Sequence, residues 1–449
     1  MSSTPSRTTK RLSLASSDEK TGLGNYFIAN YPPFSFWTSG NIDAVYQTLA
    51  KPPQRPSPLG LYIHIPFCRK RCKFCYFRVY VDKNARDIED YLEHVLREVA
   101  IYSRLEAIRG RSLDFVYFGG GTPSYLSARQ LRDFIGALKR LMPWERVQEV
   151  TFECEPGTLQ RPKLEALHEL GVTRLSLGVE NFNDAILEEN GRAHRSAEIY
   201  RAYQWIRDLA FPQVNIDLIA GMVGETWENW RECVRQTLAL QPDSVTIYQM
   251  ELPYNTEYAK AARSGHSLPF SLADWPTKRA WVNYAFEELL AAGYEISSGY
   301  TLVRDKQRVH FRYRDALWQG ADLLGTGVAS FGHIQGVHVQ NHTEWDTYLE
   351  PIRNGHLPLY RAYLCSPLEL CVREFILQLK TGQVDLDYFQ GKYGERIIVR
   401  FGEELAWLCD QGYALLDGKQ LTLTRAGLLQ VDRLLPIFFL PQHRTNRYV

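Results

Sequence analysis

The 449-residue sequence predicts an α/β fold built on a parallel sheet, with a smaller C-terminal part of different character. Three observations predict it. Short apolar or β-branched runs alternate with helical patterns of roughly 10–15 residues, the signature of right-handed βαβ units. Residue types able to do chemistry recur at the ends of those runs, where parallel sheets collect ligands. From Pro358 onward the alternation stops, and helices and a hairpin replace it.

The elements are predicted in order. Residues 1–22 are Ser/Thr-rich with scattered basic residues and no apolar core of a secretory signal. They read as a disordered tail with slight transit-peptide character. Residues 23–58 are aromatic and proline-rich, NYFIANYPPFSFWTSG, with a short amphipathic helix near Ala44–Ala50. That many rings need a surface, so the segment is expected to be packed. The run Leu61–Pro66 reads as a buried strand, and Ala85–Arg104 as a helix with Ile88, Tyr91, Leu92 and Val95 on one face. There follow strand Phe115–Phe118, helix Ala128–Leu141, strand Val150–Cys154, helix Pro162–Leu170 and strand Arg174–Val179. Helix Ala197–Leu209, strand Val214–Ala220, helix Glu228–Leu238 and strand Ser244–Met250 complete the series. About six strands result, short of the eight of a closed barrel. The barrel region is assigned to 59–300. After a helix near Asp274–Ala292 the chain reads as irregular to about Leu349, with 301–349 a bridging segment. The C-terminal part, 350–449, holds helices near Pro367–Leu379 and Arg396–Asp410 and a hairpin, Tyr413–Thr424, turning at Asp417-Gly418-Lys419. Such a part suits a winged-helix module or a lid over the barrel mouth. Its near-neutral charge favours the lid.

Charge and composition narrow the function classes. Lys+Arg number 52 and Asp+Glu 51, so no general attraction to nucleic acid or an acidic membrane is expected. No apolar run is long enough to span a bilayer. Of eight cysteines three are clustered, which points to a reducing compartment, the cytoplasm, rather than a disulfide framework. A monomer is expected.

The chemistry concentrates in GLYIHIPFCRKRCKFCYFR, residues 60–78, where Cys68, Cys72 and Cys75 stand in C-x3-C-x2-C spacing after a strand. Three thiolates can hold three irons of a [4Fe–4S] cube and leave the fourth open to a ligand that is not protein. Zinc fits less well, because a structural site wants four ligands and no fourth cysteine follows. His64 could supply one, though its direction is open. The bland alternative is three neighbouring core cysteines, against which stands their tight clustering in a loop. Arg69, Lys70, Arg71, Lys73 and Arg78 surround them and would lower thiolate pKa values, or simply form a solvated basic loop. Gly119-Gly120-Gly121-Thr122-Pro123 follows the second strand, where glycines let the backbone approach a ligand or make a tight turn. Glu153 ends the third strand and Glu180 the fourth, Arg192 follows in ENGRAH, and Asp217 lies in the fifth. A carboxylate at a strand end can accept two hydrogen bonds from a ligand, or sit in an internal ion pair.

The cysteine motif resembles that of the radical SAM enzymes, in which S-adenosylmethionine (SAM) chelates the open iron. The flanks Tyr62-Ile-His-Ile-Pro-Phe-Cys68 and Lys73-Phe-Cys75, with Tyr31-Pro32 upstream, resemble the oxygen-independent coproporphyrinogen III oxidase family and its relatives. The resemblance implies an open parallel (βα)6 radical SAM barrel, a [4Fe–4S] cluster on Cys68, Cys72 and Cys75, and two SAM molecules. By register with the family, Tyr62, Gly120 and Glu153 would contact the cluster-bound SAM. Phe74, Gly121, Thr122, Glu180, Arg192 and Asp217 would line a second SAM site. It also implies a small-molecule substrate, tetrapyrrole or other, and a reductant such as flavodoxin or ferredoxin. Three functions are compatible with it: oxidative decarboxylation of tetrapyrrole propionates, radical methyl transfer or cyclopropane formation, and heme delivery by a chaperone. Arg308, Arg312 and Arg314 are candidates to hold substrate carboxylates, or an exposed basic edge. Three departures matter. Phe77 stands where family oxidases carry a further cysteine, Glu180 where Gln is usual, and Glu251 where a small apolar residue is expected. Phe77 favours methyl transfer. The stretch His310–Trp318 lacks the Asn of the chaperones' heme-binding motif.

Overall fold

A computed structural model describes residues 27–263 and 272–444. The predicted tail, 1–22, lies outside the described residues. Six parallel strands form the core in simple sequential order: β1 (Leu59–Ile65), β2 (Phe115–Gly120), β3 (Glu149–Cys154), β4 (Arg174–Glu180), β5 (Gln213–Ala220) and β6 (Ser244–Gln249). Each neighbour is reached through a crossover helix, as βαβ handedness requires. The helix Ala85–Arg104 starts at Asn84, whose side chain accepts from Arg86 N and Asp87 N while Asp87 reaches back. Ile88, Tyr91, Leu92, Val95, Val99 and Tyr102 bury one face of it at helical spacing. Ser127 and Gln130 make the same reciprocal cap for Ala128–Leu141.

The section read as irregular is a correction. It carries a seventh parallel strand, Asp322–Thr326, paired to β1 from Leu59↔Asp322 to Ile63↔Thr326. Antiparallel strands Phe331–Ile334, Val337–Asn341 and Leu359–Leu364 continue outward from it. At the other edge, Thr301–Val303 pairs antiparallel to β6 and carries Glu295–Ile296 in turn. The whole is a 12-stranded sheet, parallel at its centre and antiparallel at both edges. The helix predicted over Arg396–Asp410 is two, Ile397–Arg400 and Gly402–Asp410. Phe401 leaves helical geometry between them (φ −118°, ψ 29°).

Inside the barrel, side chains alternate in and out, so residues of one parity line the interior in layers. At the floor, Arg312–Trp318 forms a plug helix. Glu149 Oε2 and Oε1 accept from Arg312 N (2.8 Å) and Tyr313 N (3.2 Å) and fix its start. Tyr313 stacks on Tyr117 at 4.3 Å between ring centroids and meets Phe115 edge-on. The C-terminal part touches both this plug and the mouth end of β6. Arg373 Nη1 donates to Leu317 O, and Gln249 Nε2 donates to Leu429 O. Its hairpin, Ala414–Asp417 with Gln420–Leu423, gains a third strand from Gln383–Asp385. The N-terminal segment is held by both parts. Phe27 N donates to Glu251, Ile28 N to Asp432, and Lys380 Nζ donates to Ile28 O.

Candidate active site

The carboxyl ends of β1 to β6 converge on the cysteine loop. Cys68, Cys72 and Cys75 are half-buried, and each meets different company. Cys68 Sγ lies 3.3 Å from Thr122 Oγ1. Arg192 Nη1 donates to Cys72 Sγ (3.4 Å), and Cys75 N closes a turn onto Cys72 O. Among the described residues no group of three or more His, Cys, Asp or Glu converges on a single-ion site. Three thiols on one loop are the donor type and number that a [4Fe–4S] cube with an open fourth iron takes, so the donor set fits a cluster. The pull of the basic loop on the thiols is outweighed by burial, which pushes Cys68 up to about 12 and Cys75 up to about 11. Arg71 donates to Cys75 O and draws the Cys75 thiol down against that burial, while Arg69 is turned to Glu155, Lys73 to Glu189 and Arg78 to Glu344.

His64 is 4 % exposed and turns both ring nitrogens to protein partners, with Nδ1 3.2 Å from Tyr62 Oη and Nε2 3.4 Å from Arg78 O. Its ring also explains Gly120. Gly120 has φ +113°, and a Cβ there would lie 2.6 Å from the imidazole. The N–H of Gly120 donates to Glu153 Oε2 (3.2 Å) and that of Gly121 to Ile65 O (2.8 Å). The glycine run is thus packed against the cysteine loop, with these N–H groups engaged inside the protein.

Glu153 accepts from Tyr117 Oη at 2.6 Å through Oε1, and burial pushes it up to about 7, with Asp217 adding to the shift. It has hydrogen bonds rather than a contact ion pair. Asp217 accepts from Ser176 Oγ (2.7 Å) and Asn215 Nδ2 (2.9 Å), and burial raises it too. Glu180 sits at φ +63°, a left-handed backbone costly for a side-chain-bearing residue, beside a register shift between β4 and β5. That geometry brings its carboxylate to 3.8 Å from Arg192. Burial raises Glu180 to about 7 although Arg192 pulls it down. Arg192 itself donates to Gly178 O at 2.7 Å. Phe74 packs against the small apolar cluster of Ile186, Met222 and Val223. Tyr62, Glu153, Glu180, Arg192 and Asp217 therefore share one interior with the cysteines at its rim.

One predicted contribution, that of the three arginines, fails to arrive there. Arg312 pairs with Asp114 (2.7 Å) and Arg314 with Asp315 (2.6 Å), at the floor end of the barrel. Arg308 is exposed beside them. None faces the mouth. Glu251 lies half-buried just beyond the mouth end of β6, where it accepts from Phe27 N and its charge reaches Tyr76 of the cysteine loop; desolvation with nearby Asp432 pushes it up to about 8. Two contributors, Arg174 and Tyr76, went unread in the sequence. Arg174 lies inside the barrel under the acids. Tyr76 and Phe77 stack on each other at 4.6 Å, each about 45 % exposed, directly after Cys75. For Arg174 the alternation of β4 was the available signal, since it shares the parity of Ser176 and Gly178.

Comparison with known proteins gives concordant findings. The Radical SAM superfamily pattern matches residues 62–237. A heme chaperone HemW of Haemophilus influenzae is 30 % identical over 281 residues, 62 % of this chain and 70 % of the relative. The oxygen-independent coproporphyrinogen III oxidase of Synechocystis is 25 % identical, over 80 % of this chain and 77 % of its own. The solved coproporphyrinogen III oxidase HemN of Escherichia coli superposes with a TM-score of 0.79 at 25 % identity. That match spans 92 % of this chain and 96 % of that one.

Proposed function

Because the chain belongs to the radical SAM superfamily, in the family of oxygen-independent coproporphyrinogen III oxidases and HemW heme chaperones, we propose that it is an oxidase-like radical enzyme. In this reading it removes a hydrogen atom from the β-carbon of a propionate on a reduced tetrapyrrole such as coproporphyrinogen III. The observation that carries it is the extent of the likeness to the E. coli oxidase, which reaches well beyond the barrel into the flanking parts.

The family implies a [4Fe–4S] cluster and SAM, and the three thiols fit the cluster. When bound, these groups supply reductive cleavage of SAM to methionine and a 5′-deoxyadenosyl radical, which abstracts the hydrogen. The substrate radical then loses CO2 and passes one electron to an acceptor of the iron–sulfur or flavin class, leaving a vinyl group. Cys68, Cys72 and Cys75 would hold three irons, and Arg192 would donate to the Cys72 sulfur. Tyr62, Gly120 and Glu153 would flank the cluster-bound SAM. Phe74, Gly121, Thr122, Glu180, Arg192 and Asp217 would border a second. A cation beside acids complements a ligand that bears both signs. A flavodoxin or ferredoxin in the cytoplasm would supply the initiating electron.

Methyl transfer is the second reading, favoured by Phe77 and by the absence of Arg308, Arg312 and Arg314 from the mouth, where propionates would need holding. The test is anaerobic incubation of reconstituted protein with reductant, SAM and coproporphyrinogen III, followed by mass spectrometry. Loss of CO2 supports the first reading, and gain of a CH2 or CH3 unit the second. Neither change, together with tight heme binding, would replace both by a chaperone.

A further inference from the structure

We propose that Arg174, at the barrel floor, is a positioning cation that keeps Glu153 and Asp217 in their carboxylate forms and so sets the acid limit of SAM binding. The proposal rests on the reading of those acids as SAM-binding groups.

Arg174 is 2 % exposed, its guanidinium lies 4.1 Å over the ring of Phe311, and its Nη1 has no hydrogen-bond partner. A buried cation held this way costs stability that an apolar side chain of similar length would not. Its position accounts for it. On β4, Arg174 stands opposite Thr151 of β3 and Gln213 of β5, one inward layer below Ser176. Ser176 in turn stands opposite Glu153 and Asn215 and donates to Asp217. Arg174 is therefore under both acids, with the plug's Phe311 against its own face.

The remaining charges nearby do not replace it. Tyr62 of β1, Tyr117 of β2, Tyr248 of β6 and Tyr313 of the plug are phenols, whose ordinary pKa near 10 leaves them uncharged near neutral pH. Tyr76, from the cysteine loop, is uncharged there for the same reason. Glu180 of β4 adds like charge. Arg192 also pulls Asp217 down, but it is shared among Gly178 O, Cys72 and Glu180. Burial raises Glu153 and Asp217, and Arg174 pulls both back down. Without Arg174 each acid would hold its proton to higher pH. A neutral carboxyl in place of a carboxylate loses its attraction for a ligand carrying sulfonium and ammonium charges.

The test compares the cluster-reconstituted parent with Arg174→Met and Arg174→Lys, anaerobically, between pH 5 and 9. The first readout is the infrared C=O band of protonated carboxyls, assigned with Glu153→Gln and Asp217→Asn. The second is equilibrium SAM binding at each pH. Arg174→Met should move the carboxyl midpoint and the acid limb of SAM binding upward together by about one pH unit, roughly tenfold weaker binding near neutrality. Arg174→Lys should restore most of both. Unmoved midpoints, or SAM binding weakened by the same factor at every pH, would overturn the assignment. If the parent binds no SAM while the infrared midpoint still follows Arg174, the SAM reading falls and the counter-ion role stands. Should Arg174→Met not fold, Arg174→Gln carries the same comparison with Arg174→Lys.

Discussion

Cys68, Cys72 and Cys75 are the residues whose loss is expected to be absolute. Replacing any one by Ala should abolish the iron content of anaerobically reconstituted protein. Cys154, Cys233 and Cys371, buried elsewhere, should tolerate the change with iron retained, as should Cys365 and Cys409. Iron and sulfide analysis checks both halves, and a full cluster in Cys72→Ala would refute the three-thiol assignment. The second SAM is tested best at Asp217. Arg192 touches Cys72, so its removal disturbs cluster and ligand together, whereas Asp217 bonds to Ser176 and Asn215. Asp217→Asn should leave iron unchanged and reduce SAM stoichiometry from two toward one. The lost charge-assisted bond weakens the second site by roughly ten- to a hundredfold. Equilibrium binding to the parent decides it, since one SAM per chain there leaves nothing for the variant to lose. At this scale the sequence was legible where a residue's role depends on its own chain neighbours. The cysteine spacing is such a case. Gly120 was legible as a glycine site but not for its reason, because His64 comes against it only when β1 and β2 pair. Arg174 had only its parity with Ser176 and Gly178 to mark it, because a guanidinium in a strand reads as an edge charge until the barrel closes around it.

At the scale of elements, the floor plug and the outer strands were the unread parts. The crossover helices announce themselves by caps and 3.6-residue periodicity, and several begin or end within a residue of the expected position. The plug helix is seven residues long and carries its aromatic payload in a basic-looking segment, so only its contacts reveal it. The outer strands are short, and their hairpin turns on Gln335-Gly336, both at positive φ, rather than on the usual Asn-Gly or Asp-Gly. Glu149 gives the plug a test. Its carboxylate accepts from Arg312 N and Tyr313 N and also from Thr151 Oγ1 (3.0 Å). Glu149→Ala should cost about 2 kcal/mol, since it leaves buried donors unpaired. Hydrogen exchange should rise selectively over 308–318 while iron content stays constant. Uniformly faster exchange would mean that Glu149 supports the barrel as a whole.

For the whole molecule, the buried titratable groups set how stability follows pH. Glu98, Glu153 and Glu180 are pushed up to about 7, and Glu225 and Glu251 to about 8, in each case chiefly by burial. A carboxyl whose folded pKa exceeds its unfolded value contributes stability that is complete below the unfolded pKa. That contribution is lost as pH rises through the folded one, so the alkaline limb falls toward pH 8. His64, pulled down to about 4 by burial, acts on the other limb. It stays neutral when folded and gains a proton when unfolded, so its contribution is lost as pH falls from about 6.5 toward 4. Glu155, held at about 2 by His194 and Arg69 against its burial, steepens that loss at lower pH. Glu251 allows a clean test, because its Oε2 accepts from Phe27 N and an amide oxygen can keep that bond. Glu251→Gln removes the burdened charge but retains the tie to the N-terminal segment. Its melting temperature should match the parent's near pH 4 and exceed it near pH 8.5, by a stability difference on the order of 1–3 kcal/mol. Equal melting curves at both pH values would mean that Glu251 is ionised throughout, with Lys278 and Lys380 supplying more compensation than burial removes.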